Sequence, residues 1–532
     1  MSFQIIDVDE TAFAKKYHLS PLTAKLLAAS DISEEKIRDI LSNDMEMHTS
    51  QAPCVQKCAK RILAAKENKE KVFVGGDYDA DGICATAIMK ATLDALGIIN
   101  GYYIPDRFKE GYGLQPKTVE AAVKKGYTLI LTVDNGVKAH EAIEKAKELH
   151  TDIIITDHHQ IDEPAGTDTV VHPDYMEEEY RYLSGAGIAL EISRTLIGDH
   201  PELTALACVA AIGDVMPLYA ETRIIVKNGI QALRHNAVPA LTPLFRRGAS
   251  IDETAIGFQI VPKLNSVGRL NDTANVNTLV PYLLLRDPLS IQRYAAQLEA
   301  VNERRKSLSR TMSAKCEKML GNESFEILYD ENFEEGICGL AAGRIANTYH
   351  KPTLVLTKGE NGRIKGSGRS VPGFDLFHFF SQDFDMFTAF GGHEQAVGLS
   401  MKEEDYEGFV AKVREKMQAA DFTYEEPKET VIRVSGSLLT FQNVTDLSIL
   451  SPYPRDLVSP LFAIENPQVL NVFRSPKVTK YHIAVNGSEM DALMFPYQNL
   501  TQTDHPSRMI GSLSINRFRN NVSVQMMLVD LQ

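Results

Sequence analysis

Hydrophobic runs long enough to cross a bilayer are missing from this sequence of 532 residues. A transmembrane helix needs roughly 20 consecutive, mostly apolar residues, and no stretch approaches that length. Residues 1–7 also lack the basic and then apolar pattern of a secretory signal. These two absences predict a cytoplasmic protein that has no membrane partner.

Cysteine is scarce, and its positions form no pattern. A disulfide framework or a zinc site would need paired cysteines, or cysteines and histidines, at characteristic spacings, and none is present. The first two cysteines are four positions apart on a predicted helix, where ordinary packing is the simpler interpretation. The six cysteines are Cys54, Cys58, Cys84, Cys208, Cys316 and Cys338.

Positive charge is in deficit, with 56 lysines and arginines against 70 aspartates and glutamates and a net charge of −14. This argues against nucleic acid as a partner, because phosphate neutralisation drives much of that binding. The net charge does not exclude such a partner, since a carboxylate-rich metal site would account for part of the negative charge and local patches decide binding. Basic patches occur at Arg246 and Arg247, at residues 304–306 and at residues 363–369, although solvated surface charge is the better explanation of the first two.

The length predicts several domains, because one hydrophobic core rarely serves so long a chain. Alternating strand and helix patterns within residues 71–156 favour a parallel, doubly wound sheet. An uninterrupted helical pattern covers residues 289–320, and short apolar pieces after residue 430 are typical of a small β-barrel. The predicted parts are a helical segment (1–70), a first α/β domain (71–285), a connecting helix (286–322), a smaller α/β domain (323–425) and a barrel (426–532).

Four acidic clusters follow strand-like or apolar segments. Because the carboxyl ends of parallel strands meet at one crevice, these side chains are expected to converge there. Carboxylates with one or two imidazoles suit Mn²⁺ or Mg²⁺, and two such ions are a common device for hydrolysing a phosphodiester. The clusters contain Asp77 and Asp79, then Asp134, then Asp157, His158 and His159, and last Asp214.

Two of these clusters have a second interpretation. Residues 77–82 also match the start of a calcium-binding EF-hand loop, but that loop needs a glutamate at its twelfth position, which is Ile88 here. A helix should precede such a loop, whereas residues 71–74 are strand-like. The Asp134-Asn135-Gly136 sequence alone is a common turn. Its place in the ordered set of clusters favours a metal ligand, and a carboxylate can give one oxygen to each of two metals.

The ordered set resembles the DHH phosphoesterase family, and within it the RecJ-like branch of single-strand-specific exonucleases. Three further motifs carry the resemblance, at residues 262–269, 366–370 and 391–393. The sequence departs from the branch at Gly75, where relatives usually have histidine. The resemblance implies an α/β fold with a parallel-sheet DHH domain, a long connecting helix, a smaller DHH-associated α/β domain and a C-terminal OB-like β-barrel.

The resemblance also implies roles for individual residues. Two divalent cations, Mn²⁺ or Mg²⁺, would be held by the carboxylates and one imidazole, while a second imidazole acts beside the phosphate and a carboxylate orients a histidine. The implied metal ligands are Asp77, Asp79, Asp134, His158 and Asp214. The implied catalytic pair is His159 and Asp157. The implied phosphate-binding residues are Arg269, Ser367, Arg369, Ser370, Gly391, Gly392 and His393.

The function implied is metal-dependent 5′-to-3′ hydrolysis of single-stranded DNA in repair and recombination. Single-stranded DNA would be the main partner of a monomer, with a single-strand-binding protein or a helicase as further partners. Two alternatives stay open: a phosphodiesterase for oligoribonucleotides or cyclic dinucleotides, and a replication scaffold without activity. The C-terminal barrel favours long strands, and its candidate stacking or binding residues are Tyr453, Phe473, Tyr481, Phe495, Phe518 and Arg519.

Overall fold

The computed structural model describes residues 2–111, 113–270, 272–359, 362–382, 385–420, 422–498, 500–518 and 521–532. The chain forms two compact units. We call residues Met1–Asp44, Pro217–Tyr219 and Glu426–Gln532 the terminal unit, and residues Met45–Met216 and Ala220–Glu425 the central unit. The predicted boundaries of the five domains stay predictions.

In chain order, the strands are β1 (Ser2–Ile6), β2 (Val72–Gly75), β3 (Asn100–Tyr103), β4 (Leu129–Thr132), β5 (Asp152–Thr156), β6 (Val170–Val171), β7 (Glu326–Tyr329), β8 (Thr353–Lys358), β9 (Arg363–Arg369), β10 (Phe387–His393), β11 (Ala396–Lys402), β12 (Lys428–Arg433), β13 (Leu461–Glu465), β14 (Gln468–Arg474), β15 (Thr479–Val485), β16 (Ser488–Met494), β17 (Arg508–Phe518) and β18 (Asn521–Leu531).

The α-helices are α1 (Thr11–Tyr17), α2 (Pro21–Ala29), α3 (Glu34–Leu41), α4 (Pro53–Glu67), α5 (Ala80–Ala95), α6 (Pro116–Lys124), α7 (His140–Glu148), α8 (Gly185–Ile197), α9 (Pro201–Gly213), α10 (Ala220–Arg234), α11 (Glu253–Ala255), α12 (Val261–Arg269), α13 (Leu279–Leu283), α14 (Pro288–Met319), α15 (Glu335–Tyr349), α16 (Leu376–Ser381), α17 (Tyr406–Ala420) and α18 (Phe441–Asp446). A π-helical turn, Ile256–Ile260, joins α11 to α12. No helix in the described ranges combines the length and the apolar character that a membrane span requires.

The first sheet of the central unit is entirely parallel and has the order β3-β2-β4-β5-β6. The four residues of β2 and the four of β4 are all buried, as expected for strands covered by helices on both faces. The predicted parallel α/β fold is therefore confirmed. Since β3 and β4 lie on opposite sides of β2, the order reverses there, and such a switch point opens a crevice at the strands' carboxyl ends.

The second sheet of the central unit has the order β10-β11-β9-β8-β7. Strands β7 and β8 are parallel and the other pairs are antiparallel. Its core is rich in phenylalanine, and Phe325, Phe380 and Phe409 are all buried there. The predicted long helix is confirmed as α14, whose 32 residues precede this sheet in the chain.

The terminal unit contains an eight-stranded sheet with the order β1-β12-β13-β17-β18-β16-β15-β14. Residues 1–70 were predicted to be helical, and the structure adds β1, which pairs in parallel with β12. The reason is apolar alternation, since Phe3 and Ile5 pack against Val431, Ala463 and Ile510. The array is OB-like, and in the described residues β1 and β14 are its two edges.

Candidate metal centre and phosphate-binding cleft

The loop between β2 and α5 supplies the first carboxylates. The Asp77 side chain is buried, and Asp79 caps α5 by accepting hydrogen bonds from the backbone of Asp81 at 3.0 Å and of Gly82 at 3.2 Å. A Cβ atom on Gly82 would come within 2.6 Å of the Asp77 backbone, so only glycine allows this tight turn. The turn therefore places both predicted ligands at the carboxyl end of β2.

Asp134 follows β4 and lies beside this loop. Its backbone has a φ of +60°, and its N–H donates to Thr156 O at 3.0 Å. The next side chain, Asn135, donates to Gly75 O at 3.1 Å, so the Asp-Asn-Gly segment is tied to neighbouring strands. A Cβ on Gly185 would lie 2.4 Å from that of Asp134, so the start of α8 needs a glycine for this close approach.

Asp157 orients the two histidines that follow β5. Its Oδ1 accepts from the backbone of His158 at 2.8 Å and of His159 at 3.2 Å, and lies 2.7 Å from His159 Nδ1. Its Oδ2 accepts from Val137 N at 3.0 Å. Every one of these contacts is to a neighbouring protein group, so Asp157 is placed as an orienting residue.

His158 lies at the centre of the acidic cluster. Its Nε2 is 3.2 Å from Asp134 Oδ1, 3.5 Å from Asp214 Oδ2 and 3.6 Å from Asp81 Oδ2. The described residues contain three groups of side chains that could each hold a metal ion. Within each group the possible ligand atoms lie within 4.8 Å of one another, and some residues belong to two groups. The groups are Asp77, Asp79 and Asp134; Asp81, His158 and Asp214; and Asp134, His158 and His159.

The carboxylates repel one another in a buried space. Burial, and then the charges of neighbouring carboxylates, raise the pKa of Asp77 and of Asp134 well above the usual range. The same two causes raise the pKa of Asp214 to about 7. Burial lowers the pKa of His158, which favours the neutral imidazole that binds metals.

These side chains fit divalent cations. In the described residues, Asp77 Oδ1 and His158 Nε2 are buried without a hydrogen-bond partner. Buried polar atoms are rarely left in that state unless an ion or water completes them. A cluster of anionic oxygens around a neutral imidazole is the donor set that suits Mn²⁺ or Mg²⁺.

His159 has the opposite electrostatic setting to His158. Burial alone would lower its pKa, but the hydrogen bond to Asp157 and that carboxylate's charge outweigh burial and raise the pKa to about 9. Burial would likewise raise the pKa of Asp157, and the partner histidine lowers it overall. A protonated imidazole beside the acidic cluster can donate a hydrogen bond to a phosphate oxygen.

Asp81 is a possible ligand that the sequence-based set omitted. Its carboxylate accepts from Ser184 Oγ at 3.0 Å and from the backbone of Gly185 at 2.8 Å and Ala186 at 2.7 Å. It therefore holds the N-terminus of α8 and reaches His158 as well. The sequence could have indicated this ligand, because Asp81 is the third acid of the Asp-x-Asp-x-Asp pattern at residues 77–81.

The motif at residues 262–269 packs on the β2–α5 loop. Asn265 Oδ1 accepts from Ala80 N at 2.8 Å. A Cβ on Gly268 would lie 2.6 Å from Tyr78 O, so a side chain there would push the loop away. The motif thus supports the candidate metal ligands, and its last residue, Arg269, belongs to a group of arginines.

Arg107, Arg305 and Arg369 lie near enough to Arg269 to act on its pKa, and we call these four arginines the phosphate cleft. Burial, and then the charges of Arg107, Arg369 and Arg305, lower the pKa of Arg269 to about 10. Burial and the charge of Arg107 also lower the pKa of Arg369. Like charges near one another favour binding of an anion such as phosphate. No sequence signal marks the loop residue Arg107, and Arg305 belongs to a patch for which solvated surface charge was the preferred interpretation.

The two glycine-containing motifs of the second sheet lie on β9 and β10, which are separated by β11. Strand register places Ser367 opposite Gly398 of β11, which in turn lies opposite Gly391. Arg369 lies opposite Ala396, which in turn lies opposite His393. Helix α15 leaves room for the guanidinium, because a Cβ on Gly339 would come within 3.0 Å of Arg369 Nη2.

The remaining predicted phosphate-binding residues differ in exposure. Gly391, Gly392 and His393 are exposed, whereas Ser370 is buried and its hydroxyl donates to Phe374 O. Gly392 has a φ of +147°, and a Cβ there would lie 2.2 Å from Ala396 O. Ser370 is thus placed to hold the loop, while the glycines present open backbone.

In the terminal unit, the aromatic candidates separate by burial. Tyr481 is fully buried and cannot stack on a base, whereas Phe473 is 56% exposed. The hydroxyl of Tyr453 donates to Leu447 O, and Phe495 is half-buried. The side chain of Phe518 and the whole of Arg519 lie outside the described residues.

Several basic side chains of the terminal unit lie in ion pairs. Lys480 pairs with Asp491, Arg508 pairs with Glu465 and Arg474 pairs with Asp504. Neighbouring carboxylates therefore neutralise part of the positive charge of these three side chains.

The fold and the site define the class of protein as a DHH phosphoesterase. The family model described as "DHH family, N-terminal domain" matches residues 71–213, "DHHA1 domain" matches 322–419 and "RecJ OB domain" matches 432–530. The chain is 31% identical to the single-stranded-DNA-specific exonuclease RecJ of Bacillus subtilis, over 98% of this chain and 69% of that protein. This chain belongs to the RecJ family.

Other relatives agree with this assignment. RecJ of Salmonella typhimurium is 28% identical over 99% of this chain and 98% of its own length. The crystal structure of RecJ with Mn²⁺ from Thermus thermophilus shares the fold, with a TM-score of 0.83, 24% identity and coverage of 100% of this chain and 79% of that chain. A structure of exonuclease RecJ bound to manganese has a TM-score of 0.62 and 27% identity, covering 72% of this chain and 97% of that chain.

Proposed function

We propose that this protein is a metal-dependent exonuclease that hydrolyses single-stranded DNA. The observation that carries the proposal is the set of overlapping carboxylate and histidine groups at the carboxyl ends of β2, β4 and β5. Family membership and the names of the relatives agree, since these are called single-stranded-DNA-specific exonucleases.

The chemistry divides between the bound cations and the protein. Two cations held by Asp77, Asp79, Asp134, His158 and Asp214 would supply a hydroxide near neutral pH and neutralise charge on the phosphoryl oxygens. Asp134 would serve both cations, a role that its membership of two of the ligand groups supports. Asp81 lies close enough to His158 to join the second group.

The protein's own groups hold the substrate. His159, kept protonated by Asp157, would donate to a non-bridging phosphate oxygen and stabilise the charge that develops there. Ser367, Arg369 and Arg269 would hold a neighbouring phosphate, where planar guanidinium groups make paired hydrogen bonds. Arg107 adds its charge to the same cleft.

The missing family histidine at position 75 does not disrupt this cluster. The Gly75 carbonyl accepts from Val133 N at 2.9 Å and from Asn135 Nδ2 at 3.1 Å. A Cβ there would lie 3.3 Å from Leu114 Cδ1, so an apolar side chain lies beside the position. The intact ligand groups oppose an inactive scaffold. The OB-like sheet opposes a phosphodiesterase for dinucleotides, which would not need it.

Some parts of the proposal rest on the family resemblance alone. They are degradation from the 5′ end, a role in repair and recombination, a monomeric state, a cytoplasmic location and contacts with a single-strand-binding protein or a helicase.

Single strands labelled at either end, digested with Mn²⁺ or Mg²⁺, test activity and direction together. We expect mononucleotides from the 5′ end first. Release from the 3′ end first would contradict the direction, and no release would contradict the function. Faster turnover of dinucleotides than of long strands would favour the phosphodiesterase alternative.

A further inference from the structure

The segment that follows Asp214 has a strained backbone. Val215 has a φ of +55° and Ala220 a φ of +48°, so the segment begins and ends with a left-handed residue that is not glycine. This conformation is unusual for any residue with a Cβ and is an outlier for a β-branched one. It persists only where the surrounding structure holds the chain in place.

Residues 217–219, within the segment, belong to the terminal unit. Tyr219 is 3% exposed, and its hydroxyl donates to Asp456 Oδ1 at 2.5 Å. Lys36 Nζ lies 2.5 Å from Asp456 Oδ2 and 4.7 Å from the centre of the Tyr219 ring. We call Tyr219, Asp456 and Lys36 the tyrosine clasp. Its three members come from parts of the sequence that only the folded terminal unit brings together.

The near end of the segment carries a candidate metal ligand. Asp214 ends α9, where its N–H donates to Ala210 O at 2.9 Å and Met216 N–H donates to Ala211 O at 2.9 Å. The Asp214 side chain is 35% exposed, whereas those of Asp81 and Asp134 are 1% and 2% exposed. Surrounding atoms therefore restrain the Asp214 carboxylate less than those of Asp81 and Asp134. Its position depends more on the conformation of the backbone that follows it.

We propose that Tyr219 is a positioning residue for Asp214, five residues before it in the chain, and so sets the affinity of the ligand group Asp81, His158 and Asp214 for its cation. The proposal rests on the metal centre of the proposed function. When the clasp is lost, the strained residues relax, the backbone after α9 shifts and Asp214 moves away from His158.

Titration of the full chain with Mn²⁺, followed by electron paramagnetic resonance of the free ion, tests this directly. In Tyr219→Phe we expect one Mn²⁺ to bind about three- to tenfold more weakly, the range of one net hydrogen bond, while the other keeps its affinity. Hydrolysis should return to the wild-type rate at saturating Mn²⁺. The matched control is Tyr17→Phe, which also removes a hydroxyl from the terminal unit, and there both affinities should stay unchanged.

A second pair of variants separates positioning from general loss of stability. Asp456→Asn keeps the shape of the clasp, should fold, and should weaken the same Mn²⁺. Val215→Gly removes the strain without adding a ligand atom, so Tyr219→Phe should have a smaller effect in that background, a coupling that a double-mutant cycle measures.

The outcomes that overturn the proposal differ from those that overturn the proposed function. Wild-type protein that binds no Mn²⁺ would overturn the metal centre itself. Wild-type protein that binds two ions, with clasp variants that melt at a lower temperature but bind Mn²⁺ as tightly, would overturn only the positioning role. An equal effect of Tyr219→Phe with and without Val215→Gly would overturn the route through strain.

Discussion

Asp157 Oδ1 lies 2.7 Å from His159 Nδ1, and this pairing raises the pKa of the histidine to about 9 against the effect of burial. The same carboxylate accepts the backbone N–H groups of both histidines. One buried acid therefore fixes the orientation and the charge of His159, while the neighbouring His158 stays neutral.

Replacing Asp157 by asparagine should remove that charge control. The pKa of His159 should fall toward its ordinary value, so the alkaline limb of the pH–rate profile should move to lower pH. At pH 8 the rate should drop on the order of tenfold or more, the scale of a positioned proton donor. A profile measured with saturating Mn²⁺ checks this. An unchanged alkaline limb would show that protonated His159 is not required.

Stability without metal should decrease as pH rises. Asp214 has a folded-state pKa of about 7 against an ordinary 3.8, and His159 has about 9 against 6.5, so both stabilise the fold at low pH and lose that contribution as pH rises through the folded-state values. In a chelator, the melting temperature should therefore fall between about pH 6 and about pH 9. Mn²⁺ should raise it more at the higher pH, because bound cations require deprotonated ligands. An equal Mn²⁺ effect at both pH values would argue against these carboxylates as ligands.

Arg369→Ala should weaken binding of single strands and reduce the slope of log K against log salt by about one, because one phosphate contact is lost. Measuring it in an Asp134→Ala background prevents digestion during the titration. The matched control is Arg247→Ala, an exposed arginine of the surface patch, for which the slope should not change. Equal slopes for both variants would remove Arg369 from the phosphate cleft.

Phe473→Ala tests the terminal unit as a platform for bases. Stacking is worth about 1–3 kcal/mol per base, so affinity for long strands should fall by about five- to a hundredfold, with little change for very short oligonucleotides. The control is Tyr481→Phe, whose ring is buried. This point variant is sharper than truncation after residue 425, since deleting β12 would leave β1 without its partner strand. Equal losses on long and short substrates would contradict the platform.

Much of the site could be predicted because its chemistry is local in sequence. Each cluster follows a strand or an apolar segment, and parallel pairing brings β2, β4 and β5 to one edge. The burial of Tyr481 was also predictable, since β15 alternates strictly and Tyr481 shares its buried face with Ile483 and Val485.

Other features depend on contacts that local sequence does not contain. The pairing of β1 with β12 joins the start of the chain to residues 428–432, which are far apart in sequence. Arg107 is an isolated arginine in a loop until the fold brings Arg269 and Arg369 near it. Ser370 was predicted to bind phosphate because its neighbours match a phosphate loop. Its hydroxyl instead donates to Phe374 O, a partner that the following turn brings within reach.

The most direct test of the account is hydrolysis of single-stranded DNA by Asp134→Ala in Mn²⁺, with strand binding measured on the same preparation. Asp134 belongs to two of the three ligand groups, so its loss should lower the rate by a factor on the order of 10³ through lost charge stabilisation while binding stays close to wild type. Hydrolysis at a near-wild-type rate would contradict the two-metal assignment.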